Sequence, residues 1–281
     1  MKIIFNIYLI PAAIILFFAG QFNLYAIAYF SAFIHEAAHV LIARRFNLEV
    51  KEIEFLPVGF TARISGAWKL SVKKELIMVV AGPAVNLLIC VFLILITKLF
   101  KISNSIFITN LIMVNSFLVC FNILPIMPLD GGRISMLILS RRIGIIKCAE
   151  FCLYVSKVLN AILFILAFML LAFSGNVLII IIICYIFGFL LWEDKCIIAD
   201  SFLYILNKKS IIKEKQVVQV KLLAVTESTC LISLIKEIDR TRVISALVIN
   251  YDDKIAGTID EYKIIEYASN IGAAVKIKEL L

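Results

Sequence analysis

The chain has 281 residues, of which 63% are hydrophobic and 17% charged, and its formal net charge is +8. A soluble core could not enclose so large an apolar share and leave a wettable surface, so the composition excludes an ordinary soluble protein. The basic residues cluster at the ends of apolar runs and not along one helical face, which argues against nucleic-acid binding and indicates a membrane protein.

Six apolar runs are long enough to cross a bilayer, whose core of about 30 Å needs roughly 20 apolar residues. They cover approximately residues 3–20, 25–42, 76–96, 106–124, 154–173 and 177–191. We therefore expect an α-helical polytopic membrane protein with about six transmembrane helices. Because such runs recur down to Trp192, no cleaved leader is expected.

The distribution of basic residues predicts the orientation of these helices. The segments after the second, fourth and sixth runs are basic, whereas the connections between them carry little charge. Examples are Arg44 and Arg45, Arg141 and Arg142, and Lys208 and Lys209. Since basic loops stay in the cytoplasm, both termini are expected to be cytoplasmic.

The second run contains an H-E-x-x-H motif formed by His35, Glu36 and His39, and the chain has no other histidine. The spacing places both imidazoles on one helical face, one turn apart, so that they could share a zinc ion. Glu36 points elsewhere around the axis, where it could act as general base on a water without joining the ligands. The alternative is an ordinary set of helix residues, but an acidic residue costs at least about 2.5 kcal/mol at mid-membrane and usually marks function.

The segment between the second and third runs alternates apolar and polar residues. V-K-E-I-E-F and F-T-A-R-I-S flank a Pro57-Val58-Gly59 turn. This pattern predicts a β-hairpin lying on the membrane surface, with a plain surface loop as the alternative.

A catalytic zinc usually takes three protein ligands, so a third is expected from another run. The acidic residues Glu75, Glu150, Glu193 and Asp194 lie among interfacial charges, where a solvated side chain is the simpler interpretation. Asp130 lies in the segment N-I-L-P-I-M-P-L-D-G-G, whose prolines and glycines must break a helix. The second and fourth runs both proceed towards the cytoplasm, so Asp130 and His39 should reach similar depth. We predict a site of His35, His39 and Asp130, preferring zinc although iron or cobalt would fit the ligands.

Three parts are expected along the chain. Residues 1–192 form the membrane-embedded domain, residues 193–215 a linker helix, and residues 216–281 a small α/β domain with alternating strand-like and helix-like segments.

These motifs together resemble the site-2 proteases, a family of intramembrane zinc metalloproteases, and within it the branch of stage IV sporulation protein FB. The resemblance includes F-L-P-V-G-F-T and A-G-P-A-V-N in addition to the two metal-ligand segments. It implies peptide-bond hydrolysis within or near the bilayer, with Asn122 and Asn86 contacting substrate; both amides could instead serve helix packing. It also implies that a strand after the second run pairs with extended substrate.

The C-terminal part resembles a single CBS repeat. Paired repeats usually form an adenine-nucleotide cleft, which implies a homodimer and possible ATP binding, although Lys263 stands where nucleotide binders tend to carry an acidic residue. The family branch implies a sporulation sigma-factor precursor as substrate, inhibitory membrane partners and the membrane around the forespore. Two alternatives remain: an inactive scaffold that keeps the zinc site, and a transporter using Glu36 and Asp130 as ion relays.

Overall fold

The structure is a computed structural model that describes residues 2–18, 20–57, 59–67, 70–101, 105–174, 205, 219–239, 242–251, 254–270, 272 and 275–279. It divides into two compact units, residues 1–134 with 155–192 and residues 135–154 with 193–281. The predicted sixth span, and all of the predicted linker except Ile205, lie outside the described residues.

The first predicted span is wrong as a single helix. Strand β1 (Lys2–Phe5) comes first, and helix α1 (Leu9–Phe18) follows it. Between them the Asn6 side-chain oxygen accepts a hydrogen bond from the Tyr8 amide at 3.1 Å, and Pro11 lies in the first turn of the new helix, where proline is tolerated. Ten helical residues extend about 15 Å, roughly half of a bilayer core.

Helix α2 (Phe22–Arg45) is followed by the predicted hairpin, strands β2 (Glu49–Leu56) and β3 (Gly59–Ser65). The sheet order is β1-β2-β3, with β1 parallel and β3 antiparallel to β2. The hairpin runs back alongside α2, and its predicted position on the membrane surface stays a prediction. Tyr25 near the start of α2 donates to the Pro57 carbonyl at 2.8 Å, and the Tyr29 and Phe60 rings lie 4.5 Å apart.

Three further helices complete the membrane-embedded part: α3 (Val72–Leu99), α4 (Ile106–Ile123) and α6 (Ile145–Ser174). Together with α2 they are long and apolar enough to cross a membrane, so the second to fifth predicted spans each correspond to a candidate membrane-spanning helix. Helix α6 begins nine residues before the predicted run. The predicted break after the fourth span is confirmed, since α4 ends at Ile123 and the amphipathic helix α5 (Asp130–Ile143) starts only after an irregular segment.

The second unit combines residues 135–154 with a small sheet. Its elements are β4 (Val220–Thr226), α7 (Leu231–Glu237), β5 (Val243–Ile249), β6 (Ile255–Asp260) and α8 (Glu261–Asn270), followed by a short 3-10 turn (Ile277–Glu279). Strand β5 lies centrally, parallel to β4 and antiparallel to β6. Alternate residues of β5 are fully buried and form the core of the sheet. The Ile145 amide donates to the Ile238 carbonyl at 2.8 Å, and Lys147 and Lys221 both pair with Glu237.

Candidate metal centre

Helix α2 presents one polar stripe to its helical neighbours. Ser31, His35 and His39 are separated by four residues each and all three are buried. The Nδ1–H of His39 donates to the Met78 carbonyl of α3 at 2.8 Å. In a neutral imidazole this hydrogen bond leaves the unprotonated Nε2 free to bind a metal.

Asp130 is brought to the histidines by the break between α4 and α5. The Met127 amide in the irregular segment donates to Ser156 Oγ of α6 at 2.7 Å, which anchors the segment. A Cβ on Gly131 would lie 2.1 Å from the Ile123 carbonyl oxygen, so only glycine permits this close approach. The break thus places the Asp130 carboxylate against both imidazoles.

The structure brings the three predicted ligands together. Asp130 Oδ2 lies 3.0 Å from His35 Nε2 and 3.2 Å from His39 Nε2, and the two Nε2 atoms are 3.3 Å apart. A tetrahedral zinc with ligand bonds of about 2.0–2.1 Å requires ligand atoms about 3.3 Å from each other. The donor set of two imidazoles and one carboxylate fits zinc in both chemistry and spacing, and three ligands leave one position open.

Helix α3 passes directly over these ligands at Gly82. A Cβ at Gly82 would lie 2.3 Å from His39 Nε2 and 2.5 Å from His35 Nε2. Glycine therefore lets the backbone of α3 close one side of the site. Sequence reasoning missed this role, although a glycine in the interior of an apolar helix is a signal of close packing.

Glu36 lies beside the ligands but is not one of them. Its Oε1 accepts a hydrogen bond from the Ala62 amide of β3 at 2.8 Å. Ala62 pairs with Ile53 of β2, and β3 is the outer strand of the sheet, so its free edge faces α2. The base is therefore held by the backbone of an edge strand, a contact that the sequence did not predict.

Comparison with known proteins identifies the family. The model of the family described as Peptidase family M50 matches residues 23–109 and 98–166, which together make up just over half of the chain. This chain belongs to peptidase family M50, the site-2 proteases. The predicted family is thus confirmed, and the matched region contains both metal-ligand segments.

Two curated proteins are similar to part of the chain. A zinc metalloprotease of Methanocaldococcus jannaschii is 27% identical over 166 residues, covering 58% of this chain and 47% of that protein. Stage IV sporulation protein FB of Bacillus subtilis is 27% identical over 110 residues, covering 39% of this chain and 38% of that protein. The chain thus matches half or less of the length of each.

A solved structure shares the fold. The site-2 protease from Methanocaldococcus jannaschii superposes with a TM-score of 0.52 at 24% identity, over 66% of this chain and 87% of that one. The likeness supports a site-2 protease fold for the membrane-embedded helices.

The two asparagines that the resemblance assigned to substrate occupy different environments. Asn122 is partly buried near the end of α4, and its amide donates to the Leu118 carbonyl of the same helix at 3.0 Å. Asn86 of α3 is fully buried and has no hydrogen-bond partner among the described residues. Contact between Asn86 and substrate would require its amide to be uncovered. The substrate-binding roles of both residues stay predictions.

Proposed function

We propose that this site-2 protease family member is a zinc-dependent intramembrane protease that hydrolyses peptide bonds of membrane-associated proteins within or near the bilayer. The observation that carries the proposal is the convergence of His35, His39 and Asp130 on one buried point. Two of these ligands come from a helix apolar enough to span a membrane, and Glu36 stands beside them.

The chemistry divides between the metal and the chain. Zinc bound at the three ligands would polarise the scissile carbonyl and lower the pKa of a water. Glu36 accepts a proton from the attacking water and later donates it to the leaving amine. The Ala62 amide keeps the Glu36 carboxylate turned towards β3 and away from the ligand positions.

The free edge of β3 is the proposed binding surface for substrate. A transmembrane helix hides its carbonyls in internal hydrogen bonds, so it must unwind before cleavage. Residues two apart along a strand present their backbone groups to the same edge, which places Phe60 and Ile64 beside Ala62. An unwound substrate could pair with this edge and regain the hydrogen bonds it loses. Asn122, and Asn86 if uncovered, would contact the same substrate.

We propose that both termini face the cytoplasm. The second unit joins residues 135–154 to the C-terminal sheet, and both segments were independently expected on that side. Strand β1 runs parallel to β2, so it starts towards the end of α2 that carries Arg44 and Arg45. These relations support a multi-pass protein of the cell membrane with its C-terminal unit in the cytoplasm.

The C-terminal unit is proposed to be CBS-like. Its order β4-α7-β5-β6-α8 corresponds to the strand and helix order expected for one repeat. Val220 and Leu222 on β4 are 59% and 66% exposed, which supports pairing of this unit in a homodimer. ATP binding stays a prediction, and exposed Lys263 at the start of α8 argues against it. Titrating ATP against the purified chain tests it.

Similarity to stage IV sporulation protein FB supports a substrate of the same class. We propose a membrane-associated sigma-factor precursor, with inhibitory membrane proteins as regulators and the membrane around the forespore as location. Coexpression with candidate precursors tests the substrate, because the native chain should shorten a true precursor near its membrane segment.

The decisive experiment compares Glu36→Gln, Asp130→Ala and the matched surface control Glu49→Gln. Each full-length variant is coexpressed with candidate membrane-tethered substrates, and bound zinc is measured after purification. We expect Glu36→Gln to keep zinc and lose cleavage, Asp130→Ala to lose both, and Glu49→Gln to keep both. Normal cleavage by Glu36→Gln would remove it as general base. Bound zinc without cleavage of any substrate by the native chain would favour the inactive scaffold.

A further inference from the structure

A second polar cluster lies one helical turn from the metal ligands. Ser31 of α2, Asn86 of α3 and Asn115 of α4 are each no more than 1% exposed. The Asn115 amide donates to Ser31 Oγ at 3.1 Å and to the Leu111 carbonyl at 2.8 Å. Three fully buried polar side chains on neighbouring apolar helices need hydrogen-bond partners.

The helix register places these three residues at one level. The contact of His39 with the Met78 carbonyl and the approach of Gly82 to both imidazoles show that α2 and α3 run in opposite directions here. One turn further along each helix, Ser31 and Asn86 lie at the same height. The Ser31–Asn115 hydrogen bond adds α4 to that level.

Four polar atoms around this level lack partners among the described residues. They are Nδ2 and Oδ1 of Asn86, Oδ1 of Asn115 and Nδ1 of His35. With Nε2 of His35 directed at the other metal ligands, its Nδ1 carries the proton and is a donor. Side chains on a helix lean towards the N-terminus of that helix. Ser31 lies one turn N-terminal to His35, so the His35 side chain leans towards Ser31.

The mixture of donors and acceptors identifies the ligand. A cation would need acceptors only, and an anion would need donors only. Here Asn86 Nδ2, the Ser31 hydroxyl and His35 Nδ1 are available donors, whereas Asn86 Oδ1 and Asn115 Oδ1 are available acceptors. Water both donates and accepts two hydrogen bonds, and a buried water typically makes about three.

We propose that Ser31, Asn86 and Asn115 bind buried water, and that this water accepts the hydrogen bond of His35 Nδ1–H. It orients His35 as a metal ligand, just as the Met78 carbonyl orients His39. The proposal rests on the proposed zinc site. In this arrangement Asn86 and Asn115 are positioning residues, which act on the metal through the water and His35.

Zinc affinity is the first test. The full chain in lipid nanodiscs is compared with Asn86→Leu, with the double variant Asn86→Leu/Asn115→Leu, and with Asn110→Leu as a matched control elsewhere on α4. Loss of the group that hydrogen-bonds the second ring nitrogen of a metal-binding histidine typically weakens metal affinity about 10- to 100-fold. We expect that loss in both cluster variants by chelator competition, with zinc-free thermal stability no lower than in the control. Affinity equal to that of Asn110→Leu would overturn the proposal.

Water itself is tested by X-ray hydroxyl-radical footprinting of the zinc-free chain. Radicals formed from bound water should modify buried His35 in the native chain and in Asn110→Leu, and several-fold less in the double variant. Equal modification in all three would overturn the water site. Because this measurement needs no zinc, it decides on the water even if the native chain binds no metal, an outcome that would refute the proposed protease separately.

Discussion

Replacing Gly82 with alanine measures how closely α3 approaches the metal ligands. The added Cβ would lie 2.3 Å from His39 Nε2 and 2.5 Å from His35 Nε2, closer than a Cβ atom normally approaches. Either the helix or the imidazoles must move. Overpacking of this kind costs about 1–3 kcal/mol, which corresponds to roughly 5- to 140-fold weaker zinc binding if the strain falls on the bound state.

Helix propensity predicts the opposite effect, which makes the test selective. Alanine is about 1 kcal/mol more favourable than glycine inside a helix, so without the contact Gly82→Ala would simply stabilise α3. We expect weaker zinc binding without a matching loss of zinc-free thermal stability. The assay is chelator competition on the full chain in nanodiscs, followed by zinc quantification.

The matched control is Val80→Ala. Val80 lies on the same helix, and its side chain is 40% exposed. This variant should bind zinc like the native chain. If Gly82→Ala also bound zinc with native affinity, α3 would not lie against the two imidazoles, and the packing described for the site would be incorrect.

Three other predictions concern the elements around the site and the second unit. Gly131→Ala should displace Asp130 and lower bound zinc at least tenfold, because its Cβ would meet backbone oxygen at 2.1 Å; zinc content measures this. Ala62→Pro should keep zinc but lose cleavage, since it removes the amide that holds Glu36 and interrupts the β3 edge; native cleavage would contradict it. Lys147 and Lys221 donate hydrogen bonds that lower the pKa of Glu237. The charged carboxylate therefore stabilises the fold at pH values above its unfolded-state pKa of about 4.3, and this stabilisation is lost as the pH falls through the lower folded-state pKa. Glu237→Gln should therefore destabilise the second unit by up to about 1 kcal/mol at pH 7 and by progressively less as the pH falls below about 4.3, as measured by hydrogen exchange across that range.

The sequence was sufficient for features that depend on local pattern. Four of the six predicted apolar runs correspond to long apolar helices, because hydrophobic length is read directly against bilayer thickness. Pro125 and Pro128 predicted the helix break because proline lacks an amide hydrogen. The spacing of His35 and His39 placed both on one helical face, since the helical period is independent of the rest of the fold.

Other features could not be read from the chain because they depend on partners distant in sequence. An apolar run does not by itself distinguish a helix from a strand. The start of the first predicted span forms strand β1, which pairs with β2, and only the later part of that span is helical. Alternation predicted the hairpin but not its position, which aromatic contacts with α2 determine.

The sequence by itself determined the chemistry of this protein: which residues can bind a metal, which can accept a proton, and that they lie in a membrane. Only the tertiary structure decided how they meet. The register of α2 against α3 brought Gly82 over the imidazoles. The packing of β3 against α2 directed the Glu36 carboxylate to the Ala62 amide, and the packing of α4 against α2 brought the Asn115 amide to Ser31. The helical period determines on which face of its helix a residue lies. Packing between helices determines which residues of two neighbouring helices lie at the same level, and only residues at the same level come within bonding distance.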